Sequence, residues 1–434
     1  MGGDKEFKEF ENLPEGWKRV KLGDNTYFKI VGSGIDYFRG YKNYLSTNSV
    51  QGKKITHIEE IITFKNRPSR ANMQPKKDRV AFAKMRNTIK VLLIDEKLEK
   101  DYILSTGFAI IETVINPKFI YQYLLSPFFN KQKDIFAEGT TQEAISNDDF
   151  DKIYITFPEL NPEQQKIAEI LETVDNAIEK TDKIIEKYKR IKQGLMQDLL
   201  TKGIDENGNI RDEKTHKFKD SPLGRIPKEW EVVRLGEISY LKGRIGWHGL
   251  TVQEYLEEGE YYLVTGINFK DGRINWDSCV YVSKARYETD RYIQLKKDDI
   301  LVTKDGTIGK VAYIFQLPKP ATLGTGVFVL RPIYKYYYPN FFYYVLNSFI
   351  FDRFMENLKA GSTINHLYQK DFVNFQLPLP PLPEQQRIGE ILSQIDETIE
   401  KEEKYKEKLE RIKKGLMEDL LTGKVRVNNL IKKD

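Results

Sequence analysis

The chain has 434 residues, with 69 Lys and Arg against 64 Asp and Glu and a formal net charge of +5. Hydrophobic residues make up 40%, including 25 Tyr and 24 Phe, which excludes a disordered chain. One cysteine, Cys279, excludes a disulfide framework and fits a cytoplasmic location, and no run long and apolar enough to span a membrane occurs. The mild basicity is compatible with nucleic acid without demanding it.

Residues 1–16 read as an N-terminal tail with no apolar signal core. Residues 17–160 read as a first mixed domain. Its short β-type runs TYFKIV, KITHI, IITF, RVAFA, TIKVLLI and GFAIIET are separated by Gly, Asn and Pro. A helical hairpin or a broken helix is expected over Pro117–Ala137, a turn at Gly139, a short helix near Ser146–Phe150, and a last strand, IYITFP. Residues 161–201 then form one long helix, roughly 60 Å of rod. Its apolar residues Ile167, Leu171, Val174, Ile178, Ile185, Tyr188, Leu195 and Leu199 follow a coiled-coil seam.

Residues 202–226 are polar, with NG and PLG turn signals, and read as a linker. The pattern then repeats. Residues 227–381 read as a second domain and 382–422 as a second long helix, with 423–434 as a C-terminal tail. PEQQKIAEIL at Pro162 returns as PEQQRIGEIL at Pro383 without a gap, ending in GLMQDLLT and GLMEDLLT. The second seam is Ile388, Leu392, Ile395, Ile399, Leu409, Leu416 and Leu420. Polar residues, among them Thr181, Lys192 and Lys406, interrupt the seams. Weaker anchors recur between the domains: LPEGWKRVKLGD with IPKEWEVVRLGE, TGFAII with TGVFVL, PKFIYQYLLS with PNFFYYVLNS. The fold class is therefore α+β: two similar mixed domains joined by two long antiparallel coiled-coil helices, a pseudo-twofold tandem repeat. Each rod needs a partner for its stripe, and its twin is the obvious one.

Two readers held a fixed distance apart would suit a two-part DNA site. A coiled-coil scaffold that binds proteins through both domains, without DNA specificity, is the alternative. In the first domain, Lys65–Lys90 carries nine cations and one acid, Asp78. Arg reads guanine edges, Asn and Gln read adenine, and Lys neutralises phosphate. The DNA-contact candidates there are Lys65, Arg67, Arg70, Asn72, Gln74, Lys76, Lys77, Arg79, Lys84 and Arg86. In the second domain they are Lys242, Arg244, Trp247, His248, Arg273, Lys304 and Thr307, in a stretch of balanced charge. Thr140, Thr141, Ser362 and Thr363 sit on GTT and GST turns, where a helix N-terminus caps itself or holds a phosphate. Each of these residues also has an ordinary reading as solvated surface, core or cap.

Catalysis finds little support. The turn Gly306-Thr-Ile-Gly-Lys310 lacks the spacing and the hydroxyl of a phosphate loop. Four His without metal spacing and a single Cys supply no metal site. There is no base-flipping Asn-Pro-Pro-aromatic tetrad.

In combination, FKDSPLGRIPKEWEVVRLGEI (Phe218–Ile238), DGTIGKVA at Asp305, LPLPPLPEQQRIGEIL (Leu377–Leu392) and GLMEDLLTGKVRV (Gly415–Val427) resemble the specificity subunit of type I restriction-modification enzymes. The resemblance spans essentially the whole chain. It implies two target recognition domains that read the halves of a bipartite double-stranded DNA target. It implies helices that act as spacer and as docking platform for two modification (methyltransferase) subunits and for restriction subunits. It implies no catalysis and no cofactor in this chain, with S-adenosylmethionine, ATP and Mg on the partner subunits. The first domain departs from the pattern, with MRNTIKV for DGTIGKV and PELNPEQQ for PLPPLPEQQ. Recognition residues do not transfer by motif in this family, so the contact candidates rest on their chemistry alone.

Overall fold

The computed structural model describes residues 13–138, 143–244, 250–360 and 366–431. The chain divides into two units, one built from residues 1–183 and 403–434, the other from 184–402. Both long segments are uninterrupted helices, Asn161–Leu199 and Leu382–Leu421. Each contributes one half to each unit.

In the first unit, a ribbon of Trp17–Lys21 against Tyr154–Pro158 carries the chain into the first long helix. Beside it lies an antiparallel sheet ordered Phe28–Ile30, Phe108–Thr113, Val80–Ala83, Val91–Leu93. A second sheet is ordered Glu60–Ile62, Lys42–Leu45, Tyr102–Ser105, Ala71–Met73, with its central pair parallel. The helices Pro117–Leu125 and Pro127–Ile135 take the hairpin form of the two expected there. Proline opens each where its missing N–H costs nothing, and the side chains of Asn116 and Ser126 accept from the first free N–H groups. Of KITHI only Lys54–Ile55 is strand. Tyr102–Ser105 and the helix Glu96–Asp101, capped by Asp95, have no counterpart among the expected elements, because a charged run hides them.

The second unit repeats this plan. Its ribbon is Glu231–Arg234 with Gln376–Leu379. Its sheets are ordered Ser239–Gly243, Val327–Pro332, Ile300–Thr303, Val311–Tyr313 and Val280–Val282, Tyr261–Val264, Ala321–Leu323. Its helices are Pro339–Leu346 and Phe349–Ala360. Residues 202–226, read as a linker, are an ordered part of this unit. Ile204 and Ile226 are buried in its core, and Phe218–Ser221 pairs with Gly224–Pro227 as a hairpin.

The ends of the long helices are built into these cores. Ile167, Ala168 and Leu171 pack with Met417, Leu420 and Leu421 among the first unit's aromatics, with Leu416 at the edge. Ile388, Leu392 and Leu199 do the same in the second unit, flanked by Leu195. Ile185, Ile399 and Leu409 are buried outside those clusters, while Val174, Ile178, Tyr188 and Ile395 are half-buried. The second helix passes close to its hairpin at Gly389, where an added Cβ would stand 3.2 Å from the Phe341 nitrogen. The first helix has Ala168 at the equivalent position.

The polar seam positions fix the register. Lys413 reaches Asp175 at 2.7 Å and Lys406 reaches Asp182 at 2.7 Å in the first unit. In the second, Lys192 reaches Asp396 at 2.6 Å. In the first unit rising numbers on one helix meet falling numbers on the other, so the pairing there is antiparallel. Asp396 and Lys413 lie one repeat after Asp175 and Lys192, so the same pair is used twice in reciprocal form. Thr181 is buried and bonds its own helix at the Ala177 carbonyl.

The PEQQ motif locks each helix at its head. Glu163 is fully buried and receives Arg426 at 2.6 and 2.7 Å. Glu384, its repeat equivalent, receives Arg211, with Nη2 at 3.1 Å. Each arginine comes from the segment that follows the other long helix. The adjacent glutamines, Gln164 and Gln385, are buried and each donates to the carbonyl of a preceding proline, Pro158 and Pro380. They accept from the backbone N–H at the hairpin entry, Asn116 and Tyr338.

Asp175 also takes Lys53 at 3.0 Å and Gln122 at 2.9 Å. Burial pushes its carboxyl pKa up, but the bonds from Lys413, Gln122 and Lys53 prevail and hold it below the ordinary 3.8. A depressed carboxylate stabilises the fold above its unfolded pKa, and that contribution fades as pH falls through the folded value. Asp175→Asn should therefore be less stable than wild type at neutral pH. The gap should narrow on acidification below the ordinary aspartate value, as followed by urea unfolding at a series of pH values. A gap independent of pH would show that the charge is not what Asp175 contributes.

Candidate nucleic-acid interface

The cation-rich run of the first unit is less bare than its sequence. The fold brings acids to it from elsewhere in the chain. Lys77 pairs with Glu96 at 2.6 Å, Arg86 with Glu143 at 2.8 Å, and Arg79 with Glu112. Lys90 donates to the Thr47 carbonyl at 2.7 Å. Lys84 is half-buried, and burial pushes its ammonium pKa down. The turn that carries Arg86 is held from within by Lys133, which is fully buried and donates to the carbonyls of Met85, at 2.8 Å, and Thr88. Burial lowers the pKa of Lys133 as well.

Lys65, Arg67, Arg70 and Lys76 remain on the surface with no ion pair among the described residues. The Arg67 guanidinium lies 4.6 Å from the centre of the Phe64 ring. The Asn72 backbone carbonyl accepts the Gly34 N–H at 2.8 Å, and the Gln74 side chain has structural work, its Oε1 accepting the Asp36 N–H at 3.2 Å. Gln74 is thereby placed as a support for the loop before it rather than as an open adenine reader.

In the second unit Lys242 is exposed at a sheet edge, its ammonium 5.9 Å from the Tyr292 ring. Arg244 is 2% exposed. Its Nε donates to the Leu323 carbonyl at 2.8 Å and its Nη2 to Thr322 Oγ1 at 3.2 Å. It ties the strand edge of the second sheet from inside, which places it in the core rather than as a DNA contact. A buried guanidinium needs such acceptors. Arg273 pairs with Glu400 of the second long helix at 2.9 Å and lies over the Phe315 ring at 4.9 Å. Lys304 stands 5.1 Å from the Phe328 ring. The Thr307 carbonyl accepts the Thr303 hydroxyl, which in turn accepts the Lys310 N–H at 2.9 Å.

That DGTIG turn needs glycine at Gly306 and Gly309, whose φ values are +68° and +85°. The equivalent turn of the first unit connects its strands with the same number of residues. It places a single left-handed residue, Asn87 at φ +54°. Asn tolerates that region better than other non-glycine residues, which explains how MRNTIKV replaces DGTIGKV. Thr140, Thr141, Trp247, His248, Ser362 and Thr363 lie outside the described residues.

Two like units with private loops on a shared frame accord with the comparisons. The family described as type I restriction modification DNA specificity domain matches residues 14–189 and again 227–411. The chain belongs to that family. The type I restriction enzyme MjaVIII specificity subunit of Methanocaldococcus jannaschii is 30% identical, over 98% of this chain and 97% of its own length. The EcoKI specificity subunit of Escherichia coli is 24% identical over 46% of this chain. The crystal structure of an S subunit from M. genitalium superposes with a TM-score of 0.58 at 18% identity, covering 95% of this chain and 97% of that one. A second structure, from a study of assembly and conformational transition in the type I R-M system, gives 0.57 at 21% identity, covering 95% of this chain and all of that one. At these identities the likeness is one of fold.

The DNA specificity family match covers both clamp carboxylates, Glu163 and Glu384, and neither clamp arginine. Arg211 and Arg426 are the functional partners that sequence reading missed. Their signal is weak: an arginine in each polar segment that follows a long helix, with a second one, Arg225, in the first of them. Among the described residues no group of His, Cys, Asp and Glu could hold a metal ion, and no helix is long and apolar enough to cross a membrane.

Proposed function

We propose that this chain is the non-catalytic, sequence-reading subunit of a type I restriction-modification complex in the cytoplasm. Each unit reads one half of a bipartite target in double-stranded DNA. The long helices set the gap between the halves and dock two modification subunits and the restriction subunits. Methyl transfer and cleavage, with S-adenosylmethionine, ATP and Mg, belong to those partners. The observation that carries this reading is the tandem match to a DNA specificity domain, in which the frame repeats and the exposed loops do not.

Phosphate contacts would supply affinity and salt dependence, and base-edge contacts would supply selectivity. The test is selection from randomised duplexes by the full chain with its modification subunits, over a range of salt. A two-part motif should be enriched, and log affinity should fall linearly with log salt. A complex that enriches no sequence would overturn the reading and leave the protein-binding scaffold. Lys76→Ala should weaken binding equally on all duplexes and lower the salt slope by about one. Lys77→Ala should do less, because Glu96 already neutralises that ammonium. A Lys76→Ala loss confined to one base position would contradict a phosphate role.

A further inference from the structure

We infer that the ring cluster of Tyr37, Phe38 and Phe64, with Arg67 stacked on it, is the part of the first unit that reads bases. The inference rests on the DNA-recognition reading above and names where in that unit it is exercised.

The cluster joins two loops far apart in sequence. Tyr37 and Phe38 follow the strand Phe28–Ile30, and Phe64 follows the strand Glu60–Ile62. The Tyr37 and Phe64 rings meet edge to face, 5.1 Å between centres at 69°. Phe38 meets Phe64 in the same way, at 5.8 Å and 83°. Phe38 is the root, packed on the small core of Tyr44, Ile62, Ala71 and Ile103. Tyr37 is the tip, with 68% of its surface exposed. Apolar rings left in water within one patch mark a binding surface.

The loop is held, not loose. Gly34, at φ +146°, gives its N–H to Asn72, and the next loop residue but one, Asp36, gives its N–H to the Gln74 side chain. Arg67 is also fixed, since it lies over Phe64 and donates to the Phe64 carbonyl. A guanidinium stacked on a ring keeps its remaining donors in a planar fork. Such a fork matches guanine O6 and N7, and an exposed ring beside it suits a thymine methyl or a base step.

Charge selects the occupant. Residues 31–42 and 63–70 hold five cations and one acid, Asp36. On the adjoining strand end Glu59 is turned to the Ser46 hydroxyl at 2.6 Å, and Glu60 is exposed. In the second unit residues 250–260, before the corresponding strand, are instead acidic, with four Glu and no cation. Glu257, Glu258 and Glu260 precede the strand Tyr261–Val264, and after the strand Val280–Val282 Arg286 is paired to Glu254. There Tyr261 and Tyr287 stack on each other at 4.6 Å. Tyr37, Phe38 and Phe64 with Arg67 thus differ from the described residues of the second unit, where Arg291 and Lys242 lie against the Tyr292 ring, as readers of two different half-sites should.

The test compares wild type, Arg67→Ala, Arg67→Lys and Tyr37→Ala, each as the full chain with its modification subunits, selecting from randomised duplexes. Arg67→Ala should relax discrimination at one or two adjacent positions of one half-site by about tenfold to a hundredfold. The other half-site should be unchanged. Arg67→Lys keeps the charge and loses the fork, so it should keep the salt slope and still lose discrimination. Tyr37→Ala should act on neighbouring positions and leave the melting temperature unchanged, given its exposure. Uniform weakening with a shallower salt slope would overturn the inference in favour of phosphate contact. Unchanged selection would overturn it too, as would loss of a co-purifying subunit with selection intact, which would make the patch a protein surface. If wild type enriched nothing, the DNA reading would fall first and this inference with it.

Discussion

Glu384→Ala is expected to destabilise the second unit by about 3–5 kcal/mol, the range for removing one partner of a buried ion pair. The carboxylate is 9% exposed and Arg211 is 11% exposed. Besides the arginine it accepts the Ile204 N–H at 2.9 Å and the Trp230 indole N–H at 3.1 Å. Alanine would orphan all of these donors at once. Urea unfolding would measure the loss, and hydrogen exchange should place it at residues 202–230 and the head of the second long helix. Glu384→Leu with Arg211→Met should cost much less than Glu384→Ala alone, because it removes the stranded charge together with its partner. A single-variant loss below about 1 kcal/mol, the scale of a surface pair, would show that water already serves these groups. Glu163 and Arg426 should behave alike in the first unit.

A paired insertion of seven residues, one in each long helix, is expected to widen the gap between half-sites and leave their letters unchanged. Seven residues add about 10.5 Å of helix, close to three base pairs at 3.4 Å each. The insertion has to be paired. Asp175 with Lys413 and Lys192 with Asp396 lie on both sides of any central site, and lengthening one helix alone would leave the two pairs out of step. The single insertion should therefore destabilise the protein, while the double insertion should fold and bind. Sequencing the methylated motif of a host carrying the double insertion reads the outcome. Changed half-site letters at an unchanged gap would refute the spacer role.

The repeat made most of the frame legible. PEQQ, the proline that opens each hairpin and the TG strand starts each occur twice, so a weak signal in one half is supported by the other. The seam was legible as apolar periodicity, but its polar interruptions were not. Only the fold shows that Lys192 and Lys406 face Asp396 and Asp182 on the neighbouring helix. The polar stretch 202–226 concealed its anchors because Ile204, Arg211 and Ile226 are isolated among turn residues. The basic run misled by counting charges along the chain. Glu96, Glu112 and Glu143 pair with Lys77, Arg79 and Arg86, three of its nine cations, from positions that sequence spacing does not bring near. Arg244 misled through its Gly-rich setting, since nothing local predicts acceptors at Thr322 and Leu323. Tyr37 and Phe64 passed unnoticed because neither stands in a motif and the contact between them exists only in three dimensions.

The division of the chain has a consequence for its synthesis. The second unit is one continuous stretch, 184–402, whereas the first needs 403–434 to complete its core and to supply Arg426 to Glu163. A ribosome adding about 5–20 residues per second needs on the order of ten to forty seconds to travel from the end of the first piece to the second. For that time the first unit to emerge waits with Ile167 and Leu171 uncovered by their partners Leu420 and Leu421. The part made first closes last, so a nascent chain that stalls late would release a finished second reader joined to an unfinished first one.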